Sequence, residues 1–117
     1  EMANAGHPRP IVRRTDGRSA ELPVPAGSAL GVKTSAAAPT FAWTLEPGEL
    51  VVLYTDGVTE AATPAGARFE SERVIDLVRR NGRAPKKTLE ALLKSARAFV
   101  AERGFDDDLT VLCMGRT

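Results

Sequence analysis

The sequence predicts an α+β fold, and three observations carry that expectation. The first half is divided by Gly and Pro into short apolar runs, the second half holds two stretches of helical periodicity, and a last apolar run follows them. Ile11-Val12-Arg13-Arg14, Thr15-Asp16-Gly17 and Arg18 to Val24 have the form of a β-hairpin, in which Asp-Gly would supply the positive φ angles of a tight type I′ turn. Asp16 is then a turn residue. Pro23 to Lys33 is too broken for a long element and reads as a surface-crossing loop. Phe41, Trp43 and Leu45 alternate with Ala42 and Thr44, the pattern of a strand with one buried face, before Pro47-Gly48 turns the chain. Trp43 packs on this reading rather than serving as a binding platform. Leu50 to Tyr54 is apolar on both faces, which suits a central strand covered on each side, and it stops at Thr55-Asp56-Gly57.

Two helices follow. Val74, Ile75, Leu77 and Val78 give Ser71 to Asn81 one apolar side, with Ser71 placed as N-cap and Gly82 just past the end. Pro85 opens the second, whose Leu89, Leu92, Leu93, Ala96, Phe99 and Val100 recur at steps of three and four, with Gly104 after the last turn. Lys86, Lys87, Lys94 and Arg97 fall on its solvent face. The chain returns through Phe105-Asp106-Asp107-Asp108 into Leu109 to Met114, read as a further buried strand.

Composition narrows the function classes. The 117 residues are 43% hydrophobic and 26% charged, ordinary for one soluble domain and enough to hide roughly two thirds of the unfolded surface. Sixteen basic and fifteen acidic side chains leave a formal charge of +1, so no strong field steers the chain to nucleic acid or an anionic membrane. A protein or small molecule is the expected partner. No apolar run approaches the roughly 20 residues that span a bilayer, and no signal-peptide pattern opens the chain. Cys113 is the one cysteine, which excludes an internal disulfide and agrees with a reducing, cytoplasmic compartment. Its apolar setting makes it a small hydrophobe rather than a nucleophile.

Carboxylates meet the end of an apolar run at two places, Asp56 after Leu53-Tyr54 and Asp106-Asp107-Asp108 before Leu109. A carboxylate at a buried strand end loses solvation and needs hydrogen bonds, a cation or a metal ion in compensation. If the two strands are neighbours, their acidic ends meet. Oxygen ligands without nearby His or Cys suit a hard ion, Mg²⁺ or Mn²⁺, rather than zinc. Gly57 would let the backbone pass close to the ion or to a phosphate. The residues alone also fit a plainer account, because Asp-Gly is a common turn dipeptide and an acidic run after a helix is commonly a solvated loop.

Asn4-Ala5-Gly6-His7-Pro8, Tyr54-Thr55-Asp56-Gly57-Val58-Thr59-Glu60-Ala61 and Asp107-Asp108-Leu109-Thr110-Val111, in that order, resemble three signatures of the SpoIIE-like protein phosphatases. These are a branch of the type 2C metal-dependent superfamily. Leu30-Gly31-Val32 and Leu45-Glu46-Pro47-Gly48-Glu49 also sit where that family carries similar segments. The resemblance implies a two-sheet β-sandwich flanked by helices, with a binuclear Mn²⁺ or Mg²⁺ centre that binds phosphate and activates water. It maps metal ligands onto Asp56 and Asp107, a rim position onto Gly57 and an orienting role onto Asp108. Asn4 and His7 are weaker catalytic candidates, since a lone His beside Gly and Pro at a strand end is more often a packed structural residue than a general acid.

One part of the family pattern lies outside this sequence, an upstream Gly-Asp-Val-x-Gly segment whose Asp bridges the two ions. The chain is therefore expected to be the C-terminal part, residues 1–117, of a single phosphatase domain, with N-terminal strands of the sandwich missing and half of the metal site present. Alone it should be inactive, and its truncated sheet should leave an edge near Asn4 and Ile11 open to self-association. The intact protein is expected to hydrolyse phosphoserine or phosphothreonine on a regulatory protein, by resemblance an anti-sigma-factor antagonist in a bacterial partner-switching pathway. The rival class is a non-catalytic phosphatase-like module that binds a regulatory partner. A third account, an unrelated metal-binding α+β domain, requires the order of the motifs to be coincidence.

Overall fold

The computed structural model describes residues 1–32, 38–82 and 84–117. In chain order its elements are β1 (Met2–Ala5), β2 (Ile11–Arg13), β3 (Ser19–Glu21), β4 (Ala26–Gly27), β5 (Thr40–Phe41), β6 (Leu50–Tyr54), α1 (Asp56–Thr59), α2 (Glu70–Arg80), α3 (Pro85–Val100) and β7 (Val111–Gly115). A 3₁₀ turn, Ala101–Arg103, follows α3. The strands form two sheets, ordered β4-β1-β5 and β3-β2-β6-β7, so the fold is α+β with two sheets and flanking helices.

β6 explains the layering. It lies between β2 and β7, antiparallel to both. Successive side chains of a strand point to opposite faces, and the two faces of β6 enter different cores. Leu50, Val52 and Tyr54 join Ile11, Val58, Phe69, Val74, Val78, Leu92, Ala96 and Val100 in the core beneath α2 and α3. Val51 and its β6 neighbour on the same face, Leu53, meet Val12, Leu22 and Val24, with Met2, Phe41, Trp43 and Leu45 packed against them. An apolar run without alternation is therefore what this position demands.

The hairpin forms as expected, with Ile11, Val12 and Arg13 opposite Glu21, Ala20 and Ser19, but its turn differs. Gly17 alone takes a positive φ, +91°, while its N–H donates to the Arg14 carbonyl at 3.0 Å. This is a three-residue loop closed by a left-handed Gly rather than a type I′ pair. Asp16 is indeed a turn residue. It accepts the Arg18 N–H and guanidinium, which hold its carboxyl below the usual range. The segment after Pro23 is not all loop, because Ala26–Gly27 adds to β1 as a short parallel strand. The end of that predicted loop, at Lys33, lies outside the described residues. Phe41, Trp43 and Leu45 do alternate with exposed neighbours, although the paired strand stops at Phe41.

Helix α2 starts without the expected Ser71 cap. Phe69 occupies the N-cap position with no side-chain hydrogen bond. Burial sets this boundary instead: Phe69 is fully enclosed and meets Phe99 of α3 edge-on, with centroids 5.1 Å apart. Gly82 does stop the helix, at φ +74°. Pro85 opens α3 as predicted, and Lys86, Lys87, Lys94 and Arg97 are exposed. The α3 terminus falls earlier than Gly104, at Ala101, which takes φ +49°.

Two expectations about the sheet are corrected. β7 is not a buried strand: Val111 and Cys113 pack on the helical core, whereas Leu112 is 52% exposed and Met114 45% exposed. The reason is position, since β7 is the outer strand of its sheet. For the same reason the open edge is not at Asn4 and Ile11. Asn4 sits in β1, flanked by β4 and β5, and Ile11 in β2, flanked by β3 and β6. Among the described residues the long open edge belongs to β7.

Glu49 was not singled out by its sequence setting, yet it is 5% exposed. Its carboxylate accepts Arg14 Nη1 at 3.0 and 3.3 Å and the Glu46 N–H at 3.0 Å. Arg14 also lies 5.6 Å from the centre of the Trp43 ring, so one cation ties the hairpin to the turn before β6.

Candidate functional site

β6 and β7 run antiparallel with Tyr54 opposite Val111, so the end of one strand and the start of the other lie side by side. Thr55 locks them together. Its N–H donates to the Thr110 carbonyl at 3.0 Å, and its Oγ1 accepts the Thr110 N–H at 3.0 Å while donating to the Asp108 carbonyl at 3.4 Å. Thr55 is extended and serves as N-cap of α1, a single helical turn whose buried Val58 anchors it in the core. Asp56 is thereby held at the first position of that turn.

Gly57 is the point of contact between the two acidic segments. A Cβ at this residue would stand 2.2 Å from the Asp108 carbonyl oxygen and 3.6 Å from that of Asp107. Only hydrogen fits there. The backbone thus brings Asp56 and Asp107 to flank one close approach. Asp108 acts through its main chain, with its carbonyl on Thr55 and its N–H donated to Asp107 Oδ1 at 2.7 Å.

The three consecutive aspartates differ in their partners. Asp106 pairs with Arg103 at 2.7 Å, and Arg103 also donates to the Thr63 carbonyl at 3.3 Å. Among the described residues no basic side chain forms an ion pair with Asp56 or Asp107. Two exposed carboxylates without a protein cation, at abutting strand ends, match a hard divalent ion in donor chemistry. In number they fall short, since no group of three or more His, Cys, Asp or Glu among the described residues is placed to hold an ion.

Asn4 and His7 stand elsewhere. Asn4 is 6% exposed, and its side chain donates to the His7 carbonyl and accepts the His7 N–H, both at 2.8 Å. It thereby closes the turn around Gly6, at φ +87°. The His7 side chain is exposed rather than packed, and Asn4 holds its backbone. Both residues line an apolar cavity of about 440 Å³ with Leu53, Tyr54, Thr55 and Thr110. Asp107 and Gly57 instead line a polar cavity of about 340 Å³. Sequence reasoning missed Thr55 and Thr110, which join the strand ends, and Arg103, which neutralises one aspartate. The single available signal was the three-residue spacing from Arg103 to Asp106.

Comparison with known proteins agrees with the fold. The family model described as Stage II sporulation protein E (SpoIIE) matches residues 1–117, and the chain belongs to that family. Protein IcfG of Synechocystis sp. is 26% identical over 113 residues, 97% of this chain and 18% of its own length. The SiaA-PP2C domain of Pseudomonas aeruginosa superposes with a TM-score of 0.71 at 28% identity, over 93% of this chain and 44% of that one. The structure of the RsbU and RsbW domains of Rv1364c from Mycobacterium tuberculosis gives 0.69 at 26% identity, over 97% and 31%. The phosphatase domain of SpoIIE from Bacillus subtilis, 12% identical, shares the fold with a TM-score of 0.69 over 96% of this chain and 48% of that domain. The chain therefore spans less than half the length of each of these relatives. No helix among the described residues is long and apolar enough to cross a membrane.

Proposed function

We propose that the intact protein is a metal-dependent serine/threonine protein phosphatase, and that residues 1–117 form part of its single catalytic domain. The observation that carries the reading is the pair of carboxylates, Asp56 and Asp107, without a basic ion-pair partner among the described residues, at the abutting ends of β6 and β7. Family membership supports it. Asp56 and Asp107 would hold Mn²⁺ or Mg²⁺ as part of a larger donor set. Such ions, when bound, supply positive charge to phosphoryl oxygens and acidify bound water. The chain's own contribution is placement: Thr55 ties the two strand ends, Gly57 permits their close approach, and the Asp108 N–H orients Asp107. The substrate class is a phosphorylated regulatory protein in the cytoplasm, an anti-sigma-factor antagonist by family resemblance, with no nucleic acid or membrane required.

The test is Asp56→Asn in the intact protein. Mn²⁺-dependent release of phosphate from a phosphoserine peptide should fall to background while the far-ultraviolet circular dichroism stays unchanged, because Asp56 is exposed. Unchanged turnover would overturn the reading. The second reading, a binding module without a working metal centre, is favoured by the shortage of grouped donors among the described residues. It requires that the intact wild-type protein release no phosphate with either ion.

A further inference from the structure

The polar cavity beside Asp107 and Gly57 has Glu60, Arg68, Arg103 and Asp106 in its other walls. Its two guanidinium groups are held differently. Arg103 spends its donors on Asp106 and on the Thr63 carbonyl, which ties the 63–67 turn to the aspartate loop. Arg68 meets Glu60 at 3.5 Å, with both side chains more than half exposed. A long, wet ion pair of this kind contributes little.

The mount of Arg68, by contrast, is rigid. Ala62 bridges Arg68 across a short turn in which the Thr63 N–H donates to Ala67 and the Gly66 N–H to Thr63, both at 2.9 Å. The next residue, Phe69, is buried and donates its N–H to Ala61 at 2.8 Å. A planar cation fixed at its base, with several donors and one weak partner among the described residues, is suited to grip an oxyanion through paired hydrogen bonds.

We propose that this cavity is an oxyanion subsite in which Arg68 grips the phosphoryl group of substrate or product phosphate, and Glu60 occupies the guanidinium when the site is free. The identity of the ligand rests on the phosphatase reading, whereas the anion site does not. Removal of the two partners should then act in opposite directions. Glu60→Gln frees the guanidinium, and Arg68→Ala deletes the grip.

Calorimetric titration of the intact, Mg²⁺-loaded protein with inorganic phosphate measures this without turnover. Arg68→Ala should weaken binding roughly tenfold or more, the scale of a lost charge-assisted contact. Arg68→Lys should fall between it and wild type, because a point charge remains without the fork. Glu60→Gln should tighten binding. A purely structural ion pair would move both variants the same way and lower the melting temperature of each. That result, or unchanged affinity in both, overturns the proposal. Turnover of a phosphoserine peptide by wild type is scored separately, so absent turnover would defeat the phosphatase reading while the phosphate titration still decides the subsite.

Discussion

Gly57 shows how a single residue links the fold to the site. Its φ is not in the left-handed region, so its requirement is steric alone: a side chain would strike the Asp108 carbonyl oxygen at 2.2 Å. Backbone cannot retreat as a flexible side chain can. Gly57→Ala should cost about 2 kcal/mol or more, as overpacking does, and pry Asp56 from Asp107. Urea denaturation measures the first effect, and a wild-type midpoint in the variant would show that the contact yields easily. Cys113 gives a second prediction at this scale. Burial pushes its thiol up to about 11 from 9.0, and burial likewise pushes Tyr54 up to about 12 from 10.0. Both groups hold their protons more tightly when folded, so their contribution to stability is complete below the unfolded values and declines as pH rises through 9 and 10. At pH 8 the Cys113 thiolate fraction should be about a hundredfold below that of a free thiol, with alkylation slowed to match. Alkylation at the rate of a small-molecule thiol would contradict this.

Among the elements, the helices show how packing overrides local signals. Ser71 has the chemistry of a cap, but placing Phe69 against Phe99 starts α2 before Ser71 can serve. Tertiary contact outweighs a cap worth about 1 kcal/mol. At the far end of α3, Ala101 carries φ +49° and ψ −131°, a conformation that favours Gly, because the chain must turn there into the Ala101–Arg103 turn and on to Asp106. Ala101→Gly should therefore stabilise the protein by about 1 kcal/mol by removing the Cβ strain. Thermal denaturation checks the sign, and a lowered midpoint would mean that helix propensity matters more than the turn.

For the molecule as a whole, the two sheets and the helices leave one face of β7 uncovered, with Leu112 and Met114 in solvent. Titrated alone, residues 1–117 should bind Mn²⁺ weakly, at most one ion, and release no phosphate, since two ions need an anionic ligand between them to offset their repulsion. Tight binding of two ions by calorimetry would show that the ligands are misplaced here. The same chain should self-associate at high concentration through the β7 edge, an unpaired ladder beside apolar side chains. Met114→Lys should return it to a monomer by sedimentation velocity. A wild-type monomer throughout the concentration range would remove β7 as the contact.

Much of the architecture was legible in the order of the residues. The apolar run Leu50 to Tyr54, the stripe from Leu89 to Val100 and the acidic strand ends carry their placement in local pattern, because period and burial are tied by backbone geometry. Asp56 and the run Asp106 to Asp108 stood out as carboxylates at the ends of apolar runs, and the resemblance to the SpoIIE-like phosphatases chose Asp56 and Asp107 among them. What the sequence could not disclose depends on contacts between distant segments. Gly57 against Asp108, Thr55 joined to Thr110, and Glu49 enclosed with Arg14 are pairings across 35 to 55 residues. The exposed face of β7 follows from strand order, which an apolar run does not encode. By itself the sequence determined the hairpin, the central strand, the two long helices and the acidic segments at the ends of apolar runs, because these follow from side-chain chemistry and spacing. The tertiary structure decided which ends meet, which cations are already occupied and which faces stay open, because those depend on where the chain returns in space.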